Sequence, residues 1–306
     1  MKVYIDDFCK NKGLNDIIIK KFNNSYIFSE LNKETEFVIS TPEFASKINY
    51  ELYPNLKYIQ IITAGYDLLD LEKLKTNKIR LMNARGCFSV QIAEEVINKI
   101  LVLNRNVRKV ITNQQNHVWY KQGISNEIFG STVLIVGAGS IGREIAARLK
   151  NFGTYIIGYK RTNTKLDNFD EIVTEKDILL ERVKTSNIII LALPLSESSK
   201  YLFTKNEFLS MRESAVFINI ARGLIIKEDD LIEVLKVRKD LKVGLDVFTK
   251  EPLDQDSLLW DFENVYITSH SASVSPMQYE RIGELAYKNL KNVLENKEII
   301  NGVDYE

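Results

Sequence analysis

Only two histidines, His117 and His270, occur in 306 residues, so the choice of an imidazole acid or base is narrow. His270 follows the apolar run VYITS and stands where a strand gives way to a loop. In an open parallel sheet that carboxyl edge is where ligands bind. His117 lies in QQNHVWY, among polar and aromatic residues, and is expected to serve surface or interdomain packing. Two further runs end in charged groups: AVFINIARG leaves Arg222 beyond one strand, and GLDVFTKEP leaves Asp246 and Glu251 beyond the next. Taken singly, each has an ordinary explanation as a cap or a solvated charge. An arginine, an acid and a histidine at successive strand ends converge over one crevice, where an imidazole could move a proton near neutral pH.

A second constellation precedes this one. VLIVGAGSIGREIAARLK sets Gly137, Gly139 and Gly142 between an apolar strand and a helix whose apolar face includes Ile141, Ile145 and Leu149. Gly137 permits the tight turn, Gly139 lets backbone approach a pyrophosphate, and Gly142 lets helix and strand pack closely. The helix N-terminus adds free N–H groups and positive dipole. A dinucleotide site is expected rather than a merely structural turn. The next strand, YIIGY (155–159), should end near an acid that holds the ribose hydroxyls. Lys160, Arg161 and Thr162 stand there instead. Cations cannot accept from a diol but can pair with a dianion, Arg161 in a fork. NADP is therefore the expected cofactor. A solvated basic loop compatible with NAD is the alternative.

The elements that must hold these groups fall into two series. The first contains KVYI (2–5), YIF (26–28), FVIS (37–40), YIQII (58–62) and IRLMN (79–83). The second contains STVLIVG (131–137), YIIGY (155–159), NIIILALP (187–194), AVFINI (215–220), LKVGLDVF (241–248) and NVYITS (264–269). Continuous apolar strands alternating with helical stretches predict parallel sheets covered on both faces. Helical spacing over 88–116, without proline or glycine, predicts one long helix able to bridge two domains. A last helix follows Pro276 and is surplus to the second series. The layout is two doubly wound α/β domains, with residues 99–284 inserted into a lobe made of 1–98 plus 285–306.

Composition narrows the remaining possibilities. Lys+Arg and Asp+Glu are both 41, so no global basic field recruits nucleic acid or a membrane. The start MKVYIDDFCK has no long apolar core, and neither a signal peptide nor a membrane span is expected. Cys9 and Cys87 lack metal-ligand spacing, so zinc and a disulfide framework are not indicated and a reducing cytoplasm is the simplest compartment.

The ordered strings SVQIAEE, GAGSIG, LALPLSES, INIARGLIIKEDDL, LDVFTKEPL and TSHSA resemble the signatures of the D-isomer-specific 2-hydroxyacid dehydrogenases. ITAGYD (62–67) resembles that family's carboxylate-binding loop. The resemblance spans nearly the whole chain. It implies a Rossmann cofactor domain inserted into a flavodoxin-like substrate domain, and a homodimer joined through the cofactor domain. It also implies roles. Arg222 would bind the substrate carboxylate and carbonyl oxygen, and His270 would exchange a proton with that oxygen. Glu251 would orient the imidazole and favour its protonated form, and Asp246 would contact the nicotinamide side. Ala64, Gly65 and Tyr66 would hold the carboxylate through backbone N–H groups. Ser140, Ile141, Pro194, Ile220 and Ala221 would line the cofactor. Two positions depart from the pattern. Ser269 replaces a common proline, and Tyr66 replaces a small aliphatic residue and could add a hydroxyl near the substrate, narrow the pocket or pack outward. The expected activity is reduction of a small 2-keto acid such as glyoxylate or hydroxypyruvate. A phosphoglycerate dehydrogenase-like enzyme and a non-catalytic dinucleotide-sensing protein are the alternatives.

Overall fold

Among the described residues of the computed structural model, twelve short strands form two separate parallel sheets. The structure describes residues 1–21, 27–28, 30–121, 123 and 125–305. The chain folds as two compact units, one of Met1–Phe88 with Val274–Glu306 and a second of Ser89–Ser273.

The first unit contains β1 (Val3–Ile5), β2 (Ile27–Phe28), β3 (Phe37–Ser40), β4 (Tyr58–Ile61) and β5 (Arg80–Met82). Tyr26 of the expected strand 26–28 lies outside the described residues. The order β2-β1-β3-β4-β5 is that of flavodoxin-like sheets. Side chains alternate between two faces, as strand geometry requires. Val3, Ile5, Phe37 and Ile39 enter one core, and Tyr4, Val38, Ile59 and Ile61 enter the other. Helix Gln278–Leu294 belongs to the first of these cores. Its Ile282, Leu285 and Leu290 are buried with Leu14 and Ile18 of helix Leu14–Lys21, each such side chain contributing roughly 1.5–3 kcal/mol. Gly283 permits the close crossing, since a Cβ there would stand 2.9 Å from Ile17.

The second unit contains β6 (Thr132–Val136), β7 (Tyr155–Tyr159), β8 (Glu171–Val173), β9 (Ile188–Leu191), β10 (Val216–Asn219), β11 (Lys242–Leu245) and β12 (Val265–Ile267). The order β12-β11-β10-β9-β6-β7-β8 is a Rossmann order with one strand added, and its direction reverses between β6 and β9. Helix Ser89–Asn104 packs across β10, β11 and β12 and against helix Ser140–Lys150.

Three features differ from expectation. The helix over 88–116 is two helices, Ser89–Asn104 and Val107–Gln115, because Asn106 takes a left-handed backbone (φ 45°, ψ 51°) that asparagine tolerates better than most residues. The division falls at 88/89 and 273/274 rather than 98/99 and 284/285: helix Ser89–Asn104 packs on strands of the second sheet and helix Gln278–Leu294 on helix Leu14–Lys21 of the first unit. Strand β8 lacks an extended apolar run and was not foreseen, yet it closes the sheet beside β7. His117 is solvent-exposed. Cys9 and Cys87 are buried and unbonded, and burial pushes the Cys87 thiol up to about 11. Among the described residues no helix is long and apolar enough to cross a membrane.

Candidate active site

The glycine turn follows β6 directly. Gly137 has φ 113°, and a Cβ there would meet the Ala192 carbonyl at 2.5 Å. A Cβ on Gly142 would lie 2.2 Å from the Gly137 oxygen, so neither position admits a side chain. Gly139 differs: nothing lies within 4 Å of a Cβ placed there, which leaves open approach to the turn. Gly139 also caps helix Ser140–Lys150 without a side-chain hydrogen bond, so the N–H groups of the first turn, Ser140 and Ile141 included, can receive an anion. The residues present fit a dinucleotide pyrophosphate.

The N–H groups of Gly137 and Ala138 donate to the Tyr159 carbonyl at 3.0 and 3.1 Å, tying the turn to the end of β7. Lys160 follows, half-buried, its N–H donating to Val173 of β8 at 3.1 Å. Arg161 and Thr162 are exposed, and among the described residues neither Lys160 nor Arg161 is in an ion pair. The unforeseen strand thus anchors the basic residues at the strand edge.

Beyond β9, Pro194 is exposed and its carbonyl accepts from the Ser199 hydroxyl at 2.8 Å. Ile220 and Ala221 are buried beyond β10. Asn219, the last residue of β10, builds the next turn. Its Oδ1 accepts from Ala221 N and its Nδ2 donates to the Arg222 carbonyl, both at 3.0 Å. The half-buried Arg222 donates from Nη1 to Ala221 O at 2.7 Å. A Cβ on Gly223 would stand 2.0 Å from the Phe248 carbonyl, so the turns after β10 and β11 touch through bare backbone. Neither Asn219 nor Gly223 was singled out from the sequence. The available signal was INIARG itself, with an amide two residues before the turn and a glycine at its end.

His270 has a left-handed backbone (φ 50°), and its N–H donates to the Asp246 carbonyl at 2.8 Å. Its Nδ1 lies 2.7 Å from Glu251 Oε2, while Glu251 Oε1 accepts from Phe248 N at 3.0 Å. An ionised carboxylate only accepts, so Nδ1 carries the proton of this pair and Nε2 is left for a reactant. Asp246 is nearly inaccessible. Its carboxylate accepts from Ser271 N at 3.0 Å, Ala272 N at 3.2 Å and the Thr268 hydroxyl. Its visible work is therefore to shape the loop around His270.

Residues 97–272 match the family model of the D-isomer specific 2-hydroxyacid dehydrogenase NAD binding domain. The chain belongs to the D-isomer specific 2-hydroxyacid dehydrogenase family. Glyoxylate reductase of Pyrococcus furiosus is 30% identical over 84% of this chain and 81% of its own. Glyoxylate/hydroxypyruvate reductase B of Klebsiella pneumoniae is 30% identical over 87% and 84%. A solved D-isomer specific 2-hydroxyacid dehydrogenase family protein from Aeromonas salmonicida superposes with a TM-score of 0.86 at 25% identity, over 100% of this chain and 99% of that one. As a 2-hydroxyacid dehydrogenase, the protein is an oxidoreductase acting on CH–OH donors.

The dehydrogenase's matched segment contains every expected residue from Gly137 to His270 and leaves Ala64, Gly65 and Tyr66 in the other unit. In that unit Asn83 Nδ2 donates to Ala64 O at 2.8 Å, and the Thr63 hydroxyl donates to Gly65 O at 2.7 Å. Among the described residues no acceptor takes the N–H of Ala64, Gly65 or Tyr66. The Tyr66 ring packs against the Tyr4, Val38 and Ile59 core. A cavity of about 750 Å³ in the dehydrogenase's second unit, lined by Asn104, Ser214, Lys239 and Lys242, includes none of the expected site residues.

Proposed function

We propose that the protein is an NADPH-preferring reductase that converts a small 2-keto acid, of the glyoxylate or hydroxypyruvate kind, to a D-2-hydroxy acid. The observation that carries this reading is the 2.7 Å Glu251–His270 pair, which fixes one ring nitrogen and leaves Nε2 to a substrate. The names of the relatives supply the substrate class. A bound reduced nicotinamide dinucleotide supplies the hydride. His270 donates its Nε2 proton to the carbonyl oxygen and takes it back in the reverse direction. Glu251 keeps the ring in that orientation. Arg222 binds the carboxylate and carbonyl oxygen of the substrate, and the free N–H groups of Ala64, Gly65 and Tyr66 hold its carboxylate.

Gly137, Gly139, Ser140, Ile141 and Gly142 receive the pyrophosphate, and Pro194, Ile220 and Ala221 line the remainder of the cofactor. Asp246 supports the nicotinamide side through the loop it shapes. Lys160, Arg161 and Thr162 receive the 2′-phosphate, a role favoured by two cations with no carboxylate partner among the described residues. Under this reading Met1–Phe88 with Val274–Glu306 is the substrate unit, and the enzyme works in the cytoplasm as a homodimer. The exposed Ile111, Val118 and Trp119 give apolar surface for a second copy. The test is direct: purified protein is mixed with NADPH or NADH and a panel of 2-keto acids. Loss of reduced-cofactor absorbance is expected with a short keto acid and faster with NADPH. No loss with any pair would sink the enzyme reading.

A further inference from the structure

Lys99, in the middle of helix Ser89–Asn104, is completely buried. Its stem runs past β11, where Gly244 makes room: a Cβ there would come within 3.2 Å of Lys99 Cδ. Packing alone does not call for a cation here. A methionine or leucine would fill the same space without desolvating an ammonium, which costs several kcal/mol per ion. The charge has specific partners. Nζ donates to Glu95 Oε1 at 2.9 Å and to Thr268 Oγ1 at 2.6 Å, and lies 5.1 Å from the centre of the Tyr266 ring.

The contact with Thr268 has a directional consequence. An ammonium is a donor only, so the Thr268 oxygen must accept from it. The hydroxyl's single proton is then free to point elsewhere, and it is donated to Asp246 Oδ1. The same oxygen accepts from Ser271 N, the other carboxylate oxygen accepts from Ala272 N, and the Asp246 carbonyl accepts from His270 N. A relay therefore runs from Lys99 through Thr268 to the Asp246 carboxylate and ends on the backbone amides of Ser271 and Ala272, directly after His270, whose own N–H is held by the main-chain carbonyl of the same Asp246. These bonds fix the turn in which His270 takes a left-handed conformation that a residue with a Cβ disfavours.

We infer that Lys99 is a positioning residue for catalysis, a buried ammonium that orients Thr268 and, through Asp246, holds the backbone from which His270 meets its substrate. The inference rests on the proton-transfer role given to His270 above. Lys99 touches neither substrate nor cofactor in this scheme, so its removal should alter turnover rather than cofactor binding.

The test compares Lys99→Met, Thr268→Val and Thr268→Ser in the full chain, each also made in a His270→Ala background. Keto-acid reduction is followed alongside NADPH affinity by fluorescence titration. Lys99→Met and Thr268→Val are each expected to lower kcat about 10–100-fold, the loss that a misplacement near 1 Å causes, with cofactor affinity kept within about twofold. Thr268→Ser, which retains the hydroxyl, should keep kcat near the parent. In the His270→Ala background neither Lys99→Met nor Thr268→Val should cost anything further. Parent-like kcat in Thr268→Val overturns the inference. So does an equal loss in both backgrounds, the pattern of general structural damage. Should Lys99→Met fail to fold, the Thr268 pair still decides. Undiminished turnover in His270→Ala alone would instead remove the acid/base role, and the inference with it.

Discussion

At the scale of single residues, the scarcity of histidine makes the proton-transfer candidate legible in the sequence. His270 has its partner, Glu251, at 2.7 Å. His270→Ala should lower turnover by about 10²–10⁴-fold while cofactor affinity stays nearly intact, as steady-state kinetics with a binding titration would show. Similar turnover would reject the acid/base assignment. Lys160→Asp combined with Arg161→Gln should move preference from NADPH toward NADH. An unchanged ratio of the two kcat/KM values would contradict the phosphate-site reading. What the sequence does not disclose at this scale are residues that act through hydrogen-bond direction or close approach. Asn219, Gly223 and Lys99 carry no motif of their own, and their roles depend on which backbone groups the fold brings beside them.

Among elements, the strands are legible as continuous apolar runs, and the described ones begin and end within a few residues of expectation. Strand β8 is not, because a three-residue edge strand gains its stability from β7 rather than from its own hydrophobicity. The break at Asn106 is hidden for a different reason. Apolar spacing continues across it, and only the backbone conformation of one residue interrupts the helix.

Gly223 makes a prediction on this scale. Its substitution by alanine would drive a Cβ into the backbone between β11 and Glu251, and a loss of about 1–3 kcal/mol is expected in denaturant titration. A second prediction concerns the strap between helix Glu228–Val237 and β11. Arg238 holds Asp240 at 2.8 and 2.9 Å, and the N–H of Ser214 adds a bond of 2.9 Å. The Arg238 pairing, aided by that backbone bond, holds the Asp240 carboxyl well below the usual carboxylate range. A lowered value means that the stabilisation is present above about pH 3.9, the unfolded-state value, and is lost as pH falls through the folded-state one. Asp240→Asn should cost about 1–2 kcal/mol at neutral pH, and the gap to the parent should close in strong acid. A gap that widens in acid would contradict the assignment.

On the scale of the whole molecule, the insertion is legible because the final helix is one element too many for the second sheet. The positions of the cuts are not, since periodicity does not say which core a helix joins. The two units have separate hydrophobic cores. Calorimetry should therefore resolve two transitions, with NADPH raising only the one that belongs to Ser89–Ser273. At a hundred times Kd the gain should be about 2.7 kcal/mol. A single transition shifted as a block would show instead that the units unfold together.

The return of helix Gln278–Leu294 to the first core has a consequence during synthesis. Val3, Ile5, Leu14 and Ile18 leave the ribosome at least 264 residues (282 − 18) ahead of the partners that cover them, Ile282, Leu285 and Leu290. At about 5–20 residues per second the wait is roughly 15–55 s, during which the inserted unit can finish folding first. The nascent lobe is thus exposed to chaperones and to aggregation until helix Gln278–Leu294 has been made, and the arrival of that helix closes its core.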